Sequence, residues 1–307
     1  MNKPKISISV GDLNGVGIEI ILKAHKEISK LCTPIYCINK YMLEQASKLL
    51  HVEIPDDFEI SFVDGDFNIE AGKVSAKSGN YSFDSFMHAV RLCETKETDA
   101  VVTMPIHKEA WMMAGLEYKG HTDVLRKYFK KDAIMMLGCE EMFVALFTEH
   151  IPLKDVASSI EYKKLKQFFL DLHNSIPNEK IAVLGLNPHA GDNGVLGNEE
   201  LRIYKAIKSA NKKLGFEQFV GPIVPDIAFT PEFRKNFKYF IAMYHDQGLA
   251  PLKALYFDES INISLNLPIM RASVDHGTAF DISYKGEAKT LSYINAIKHS
   301  ANILIKP

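Results

Sequence analysis

Short apolar runs recur along this chain. Nearly every one stops at a glycine, a proline or a polar tip, and an amphipathic stretch of helical period usually follows. The runs are ISISV (6–10), PIYCI (34–38), ISFV (60–63), DAVVTMP (99–105), AIMMLG (133–138), FVALFT (143–148), KIAVLGL (180–186), KYFIAMY (238–244) and INISL (261–265). Helical spacing falls between them, over 17–31, 81–97, around 107–115, 121–130, 163–176 and 198–215, and in the closing segment LSYINAIKHSANIL. In 17–31, Ile18, Ile21, Leu22 and Ile28 share one side, as a helix packed on a sheet requires. The 198–215 stretch runs from acidic to basic and stops at Gly215, which complements the helix dipole. Strands alternating with helices imply a mostly parallel sheet covered by helices, with 133–138 and 143–148 close enough to pair as neighbours.

A chain of 307 residues, 47% hydrophobic, supports one large or two modest domains. Its formal charge of -2 gives no reason to expect a nucleic-acid partner. No run is apolar enough to span a bilayer, so no membrane role is expected. The start, MNKPKISISVGDLNG, lacks the features of a signal peptide. Cys32, Cys37, Cys93 and Cys139 show no CxxC spacing, which fits buried thiols in a reduced, cytoplasmic protein and argues against a thiolate zinc site. There are no internal repeats, low-complexity tracts or long linkers.

In sheets of this kind ligands gather at the carboxyl ends of strands, so the residues after each run carry the chemical information. YHDQG (244–248) reads as a strand emptying into a polar tip and then a turn at Gly248. There His245 and Asp246 are suited to holding a divalent ion or moving a proton. His150 and His189 occupy similar tips, in EHIP and NPHAGD. Each alone could serve a local hydrogen bond; three neutral imidazoles together suit zinc and tolerate cobalt or similar ions. The first loop, GDLNGVG (11–17), is neither GxGxxG nor a P-loop; a tight turn needing small residues accounts for it as well as a ligand does. His107 and Lys108 either cap a helix or add positive charge. At the start of the 121–130 helix, Thr122 or Asp123 caps the backbone, or His121, Thr122 and the free helix N–H groups receive an anion. Lys253, Asn262 and Arg271 lie among apolar residues. Arg271 calls for a carboxylate or phosphate, or for a structural ion pair. The segment 273–282 reads as a polar loop, a simple turn or a contact for ribose or adenine.

Taken together, GDLNGVGIE, VVTMPIHKEA, GHTD, GLNPHAGDNGVLGNEE, YHDQGLAPLK, INISLNLPIMR and SVDHGTAFDIS resemble the 4-hydroxythreonine-4-phosphate dehydrogenase family of pyridoxal-phosphate biosynthesis. They occur in family order from residue 11 to residue 283, and GLNPHAG, YHDQGL and SVDHGTA are long and specific. HGTAFDI also looks like the adenosine-binding loop of the isocitrate and isopropylmalate dehydrogenase superfamily. The sequence departs from the family where Leu13 and Ile18 replace common prolines and Met104 replaces a smaller residue.

The resemblance implies an isocitrate/isopropylmalate dehydrogenase-like α/β fold over residues 1–307. Two interleaved α/β/α subdomains, with boundaries the sequence does not resolve, would flank a central cleft holding the active site. It implies a homodimer whose second subunit completes that site, with His245 and Asp246 given across the interface. His150, His189 and His245 would be the metal ligands. His121, Thr122, Lys253, Asn262 and Arg271 would contact substrate. His276, Gly277, Thr278, Ala279 and Asp281 would contact the cofactor, and Asp226 and Asp246 would lie near the metal as candidate catalytic groups.

The implied cofactors are NAD or NADP and a divalent metal (zinc, magnesium or cobalt). The implied substrate is a small phosphorylated amino-hydroxy acid, 4-phosphohydroxy-L-threonine. Its oxidation to 2-amino-3-oxo-4-phosphooxybutanoate would be followed by decarboxylation to 3-amino-2-oxopropyl phosphate. Alternatives are a sister dehydrogenase for another phosphorylated or dicarboxylic hydroxy acid, a phosphate-acetyltransferase-like acyltransferase, and a non-catalytic metal- or phosphate-binding module.

Overall fold

The computed structural model describes residues 3–305. Its strands are β1 (Lys5–Ser9), β2 (Thr33–Cys37), β3 (Ile60–Ser61), β4 (Ala100–Thr103), β5 (Ile134–Cys139), β6 (Met142–Leu146), β7 (Ile181–Leu184), β8 (Phe219–Ile223), β9 (Tyr239–Ala242), β10 (Ile261–Leu265) and β11 (Arg271–Val274). The chain forms two compact units. One takes in the described residues up to Lys131, Ile261–Ile263, and those from Leu267 onward; the other takes in Asp132–Ser260 and Ser264–Asn266.

In the first unit the strands run in the order β3-β2-β1-β4-β11-β10. β1 pairs in parallel with β2 and β4, and β4 with β11. β1 and β4 are almost wholly buried and rich in β-branched residues, as strands covered on both faces must be. The helix Ala76–Glu94 packs on β1, and the helices Gly17–Ile28 and Leu291–Ile305 pack on each other. Ser75 starts the 76–94 helix by accepting the Ser78 N–H at 3.1 Å, satisfying one of its orphan donors.

In the second unit the order is β5-β6-β9-β7-β8. β5 and β6 are the neighbours the sequence suggests, joined antiparallel, whereas β6/β9, β9/β7 and β7/β8 are parallel. Val144 and Leu146 of β6, Phe240 and Ala242 of β9, and Leu249 and Leu252 share one core. The helix Glu199–Leu214 ends at Gly215 with φ +83°, the left-handed stop expected there.

Three local expectations are corrected. Gly248 is not a turn residue: a helix spans His245–Tyr256, and a Cβ at Gly248 would stand 2.5 Å from Val144 Cγ1 and 2.8 Å from the Ala242 Cβ. The glycine lets the helix lie close on β6 and β9. Ser273 and Val274 belong to β11 rather than to a polar loop. The helix Lys40–Leu50 and strand β8 lie where no regular element is read from the sequence.

The departures from the family pattern are absorbed by packing, since Leu13 and Ile18 in and after the first loop and Met104 after β4 are fully buried. The glycines of the first loop are steric requirements. Gly11 has φ +69° and its Cβ would meet the Pro105 carbonyl at 2.3 Å, while a Cβ at Gly15 would meet the Thr278 carbonyl at 2.8 Å.

Candidate functional site

On the first unit the candidate residues gather around the parallel pair β4 and β11, where Arg271 lies beside Val101 in register. Arg271 opens β11, almost completely buried, and its Nη2 donates to Thr103 Oγ1 at 2.7 Å. Burial brings this guanidinium from its ordinary value down to about 9. It is still a cation at neutral pH, but a poorly solvated one, which favours an anionic partner. The nearby helix His121–Phe129 starts at Gly120 with no side-chain cap. Neither Thr122 nor Asp123 takes that role; Asp123 instead accepts the Lys119 N–H at 3.2 Å. Thr122 is buried at the second position of the helix.

His121 is held among aromatic edges, with the Phe86 ring at 4.5 Å and Trp111 at 5.6 Å. Burial first, and the Arg271 charge second, push it well below its ordinary value, so it is a neutral imidazole at pH 7. Its Nε2 is buried with no hydrogen-bond partner, as is Asn262 Oδ1 on β10. Buried polar atoms of this kind are costly unless something completes them. A cation, a neutral imidazole and the start of a helix are groups whose chemistry suits an anion.

The segment His276–Asp281 also lies on the first unit. The Thr278 carbonyl accepts the Val16 N–H at 3.0 Å, Tyr284 donates to the Leu13 carbonyl at 2.7 Å, and Phe280 stacks on His107 at 4.7 Å. The GDLNGVG loop therefore supports this segment. Thr278 is buried and Ala279 has φ +43°, whereas Gly277 and Asp281 are exposed and a Cβ at Gly277 would meet nothing within 4 Å.

The three strand-tip histidines all fall on the second unit. The rings of His150 and His245 face each other with centroids 5.4 Å apart. The His245 Nδ1 is 3.0 Å from Asp246 Oδ1. A carboxylate beside a histidine ring nitrogen is the kind of neighbour that can orient the ring. His189 lies on Pro188–Gly194, where His189, Ala190, Gly191, Asp192 and Asn193 all have φ between 42° and 80°. Left-handed backbone costs about 1–2 kcal/mol for each non-glycine residue, and such strain persists only where its surroundings impose it. Asp226 is exposed on the short helix Pro225–Ala228, which packs against the His189 segment. Lys253 places its Nζ 5.4 Å from the Phe257 ring centroid.

Among the described residues no group of three His, Cys, Asp or Glu side chains is gathered closely enough to hold a metal ion. The donor set fits a divalent ion in kind; the His150 and His245 rings are neighbours, and His189 is on a separate turn of the same unit. Thr103 and Glu200 escape the sequence reading. Glu200 is buried beneath the turn that carries His189, and its helical phase with Ile203 and Ile207 was the available signal. Thr103 offered none beyond its place at a strand end.

The sequence pattern described as pyridoxal phosphate biosynthetic protein PdxA matches residues 30–300. A protein named 4-hydroxythreonine-4-phosphate dehydrogenase from Sulfurimonas denitrificans is 77% identical over 298 residues, 97% of each chain. The crystal structure of a 4-hydroxythreonine-4-phosphate dehydrogenase from Klebsiella pneumoniae superposes with a TM-score of 0.85 at 30% identity, over 99% of both chains. A β-decarboxylating dehydrogenase from Thermococcus kodakarensis, 12% identical, covers 99% of this chain and 83% of its own with a TM-score of 0.51, a likeness of fold alone.

Proposed function

Because the chain belongs to the PdxA family of pyridoxal phosphate biosynthetic proteins, we propose that it carries out the reaction its relatives' name denotes, oxidation of 4-phosphohydroxy-L-threonine, and that it does so with NAD or NADP as the hydride acceptor. The product is 2-amino-3-oxo-4-phosphooxybutanoate, a β-keto acid that then decarboxylates to 3-amino-2-oxopropyl phosphate. The observation that carries this reading is the desolvated Arg271 cation beside neutral His121 and the uncapped start of the 121–129 helix. A substrate phosphate is an anion with several acceptor oxygens, the chemistry that a desolvated guanidinium and a helix N-terminus favour.

In this reading Arg271, His121, Thr122 and the helix N–H groups bind the phosphate, while Lys253 and Asn262 contact the rest of the substrate. His276, Gly277, Thr278, Ala279 and Asp281 receive the dinucleotide, and the open space at Gly277 supports close approach of a ligand there. His150, His189 and His245 hold the divalent ion (zinc, magnesium or cobalt). The bound metal supplies Lewis acidity toward the reacting hydroxyl and the bound nicotinamide supplies the hydride acceptor. Asp246 fixes the orientation of His245, and Asp246 or Asp226 takes the hydroxyl proton. General acid–base help of that kind is worth about 10²–10⁴-fold.

We also propose that the chain acts in the cytoplasm as a homodimer in which His245 and Asp246 serve the partner's site. Exposed Leu153, Val195 and Leu201, near His150 and His189 in sequence, support an interface there. No helix among the described residues is long and apolar enough to cross a membrane.

The test is an assay of 4-phosphohydroxy-L-threonine with NAD or NADP, with and without chelator and with added zinc, magnesium or cobalt. Turnover lost to chelator and restored by one ion is the expected result. Full turnover by His245→Ala with its metal retained overturns the metal assignment. Absence of turnover on this substrate, with turnover on another hydroxy acid, overturns the substrate assignment.

A further inference from the structure

The turn that supports the His276–Asp281 segment is itself built on one buried carboxylate. Asp12 has no exposed surface. Its Oδ1 accepts the Asn14 N–H at 3.0 Å, and its Oδ2 accepts the hydroxyl of Ser78, in the first turn of the 76–94 helix, at 3.2 Å. Its carbonyl accepts the Gly15 N–H at 2.9 Å, and its own N–H donates to the Pro105 carbonyl at 2.9 Å. All four polar groups of one residue therefore serve to fold residues 12–15 and to fix them in place. Burial raises the Asp12 carboxyl above its ordinary value, against the lowering by Asn14, Ser78 and His107. Such a group is costly to bury, and no step of the proposed reaction uses it.

The next four residues meet the segment or its support. The Leu13 carbonyl accepts the Tyr284 hydroxyl at 2.7 Å. The Asn14 side chain accepts the Glu70 N–H at 2.9 Å and donates to the Lys73 carbonyl at 2.7 Å, and its carbonyl accepts the Gly72 N–H at 2.8 Å. Gly72 in turn lies against the Phe280 carbonyl, where a Cβ would stand 2.8 Å away. Gly15 lies as close to the Thr278 carbonyl, which accepts the Val16 N–H at 3.0 Å. Residues 276–281 belong to no helix or strand, and Ala279 is left-handed. A backbone of that kind takes its shape from what surrounds it, and here the surroundings are the turn that Asp12 folds.

We propose that Asp12 is a positioning residue for dinucleotide binding: it holds the 12–16 turn in the shape that fits against Thr278 and Phe280, so that affinity for NAD or NADP depends on a carboxylate buried too deeply to touch either. The inference rests on the reading of His276–Asp281 as the dinucleotide segment, and every residue it uses lies on the first unit. Leaving one buried N–H without its acceptor shifts a local equilibrium by roughly 5- to 150-fold, and the fraction of protein in the competent shape scales the apparent affinity.

The experiment is an equilibrium titration of the full chain with NADH and with NADPH, followed by the emission of the reduced nicotinamide, with thermal unfolding measured in parallel. Asp12→Ala removes both side-chain acceptors. Asp12→Asn keeps the acceptor for Asn14, and its amide can donate to Ser78, whose hydroxyl then donates to the Ser75 carbonyl 3.1 Å away. Ser78→Ala removes the bond to Oδ2 alone. Gly277→Glu sets bulk and negative charge in the open space of the segment and reports whether the dinucleotide lies there. The expected result is binding abolished in Gly277→Glu, weakened about tenfold or more in Asp12→Ala and about threefold in Ser78→Ala, and recovered to within about twofold of the parent in Asp12→Asn. Each comparison is made at a temperature where the variant is folded.

A purely structural role would lower the melting temperature and leave the affinity of the folded protein unmoved. Affinity in Asp12→Ala within about twofold of the parent, a shift too small for a lost buried acceptor, overturns this inference and leaves the dinucleotide reading standing. Binding by Asp12→Asn as weak as by Asp12→Ala overturns it too, because the amide keeps the hydrogen bonds. If the parent binds neither NADH nor NADPH, or Gly277→Glu binds as the parent does, the dinucleotide reading fails and this inference fails with it. Should Asp12→Ala not fold, Ser78→Ala decides the matter by the same threshold.

Discussion

Replacing Arg271 with methionine separates what the site does from what the fold wants. Burial takes the guanidinium from its ordinary value down to about 9. At about 1.36 kcal/mol for each pH unit, that is roughly 5 kcal/mol of lost solvation carried by the folded protein. The sign follows from linkage: a cation whose folded-state pKa is depressed destabilises the fold below about 9, and the penalty is lifted as pH rises from there toward the ordinary arginine value. The bond to Thr103 Oγ1 returns only part of the cost. Replacing buried charge with apolar atoms of similar volume is neutral or stabilising by about 1–4 kcal/mol.

Arg271→Met is therefore expected to raise the urea midpoint of the ligand-free protein, or leave it unchanged. It should also abolish the further stabilisation that the parent gains from inorganic phosphate. Losing a buried charged contact to substrate costs about 2–5 kcal/mol, so kcat/KM should fall by roughly 30- to 5000-fold at about 1.4 kcal/mol per factor of ten. Urea unfolding with and without phosphate, beside steady-state kinetics, measures all three. A variant less stable than the parent that still responds to phosphate would refute the argument that Arg271 is kept for an anion.

Other outcomes follow from the same structure. Gly248→Ala gains about 1 kcal/mol of helix propensity, but its methyl meets the Ala242 Cβ, which cannot swing away. Overpacking of about 1–3 kcal/mol should win and lower the urea midpoint, and a more stable variant would show that the helix is free to shift. His121 titrates well below its ordinary value in the fold. The unfolded chain therefore binds the proton first, and stability present above about pH 6.5 should be lost as pH falls below it. His121→Gln should flatten that slope between pH 5 and 7, seen in unfolding midpoints. Trp111 is the sole tryptophan of the chain and lies 5.6 Å from the His121 ring. Phosphate binding should change its fluorescence in the parent and not in Arg271→Met.

The chemistry of the tips was more legible than the backbone that carries them. His150, His189 and His245 stood out because a polar residue at the end of a buried apolar run has little packing reason to be there. Arg271 stood out by the same logic, as a charge where periodicity calls for an apolar residue. Yet that charge also concealed β11, since its opening residue breaks the apolar pattern that identifies a strand. The His245 helix was hidden by Gly248 and Pro251, both poor helix formers. Tertiary packing overrides that preference, because only glycine lets the helix lie against Val144 and Ala242. Strand β8, with a Gly-Pro pair and partial burial, lacks the continuous apolar run that marked its neighbours.

Periodicity and composition alone determined the α/β class, most of the strands and the list of polar residues at their ends, because burial imposes a pattern that local sequence must obey. The motifs added the family. Only the tertiary structure decided which of those residues meet. Arg271 reaches Thr103 across 168 residues of chain, and Gln247 reaches Gly185 across 62. Hydrogen bonds and desolvation act between groups brought together by the sheet, and separation along the chain carries no record of that distance.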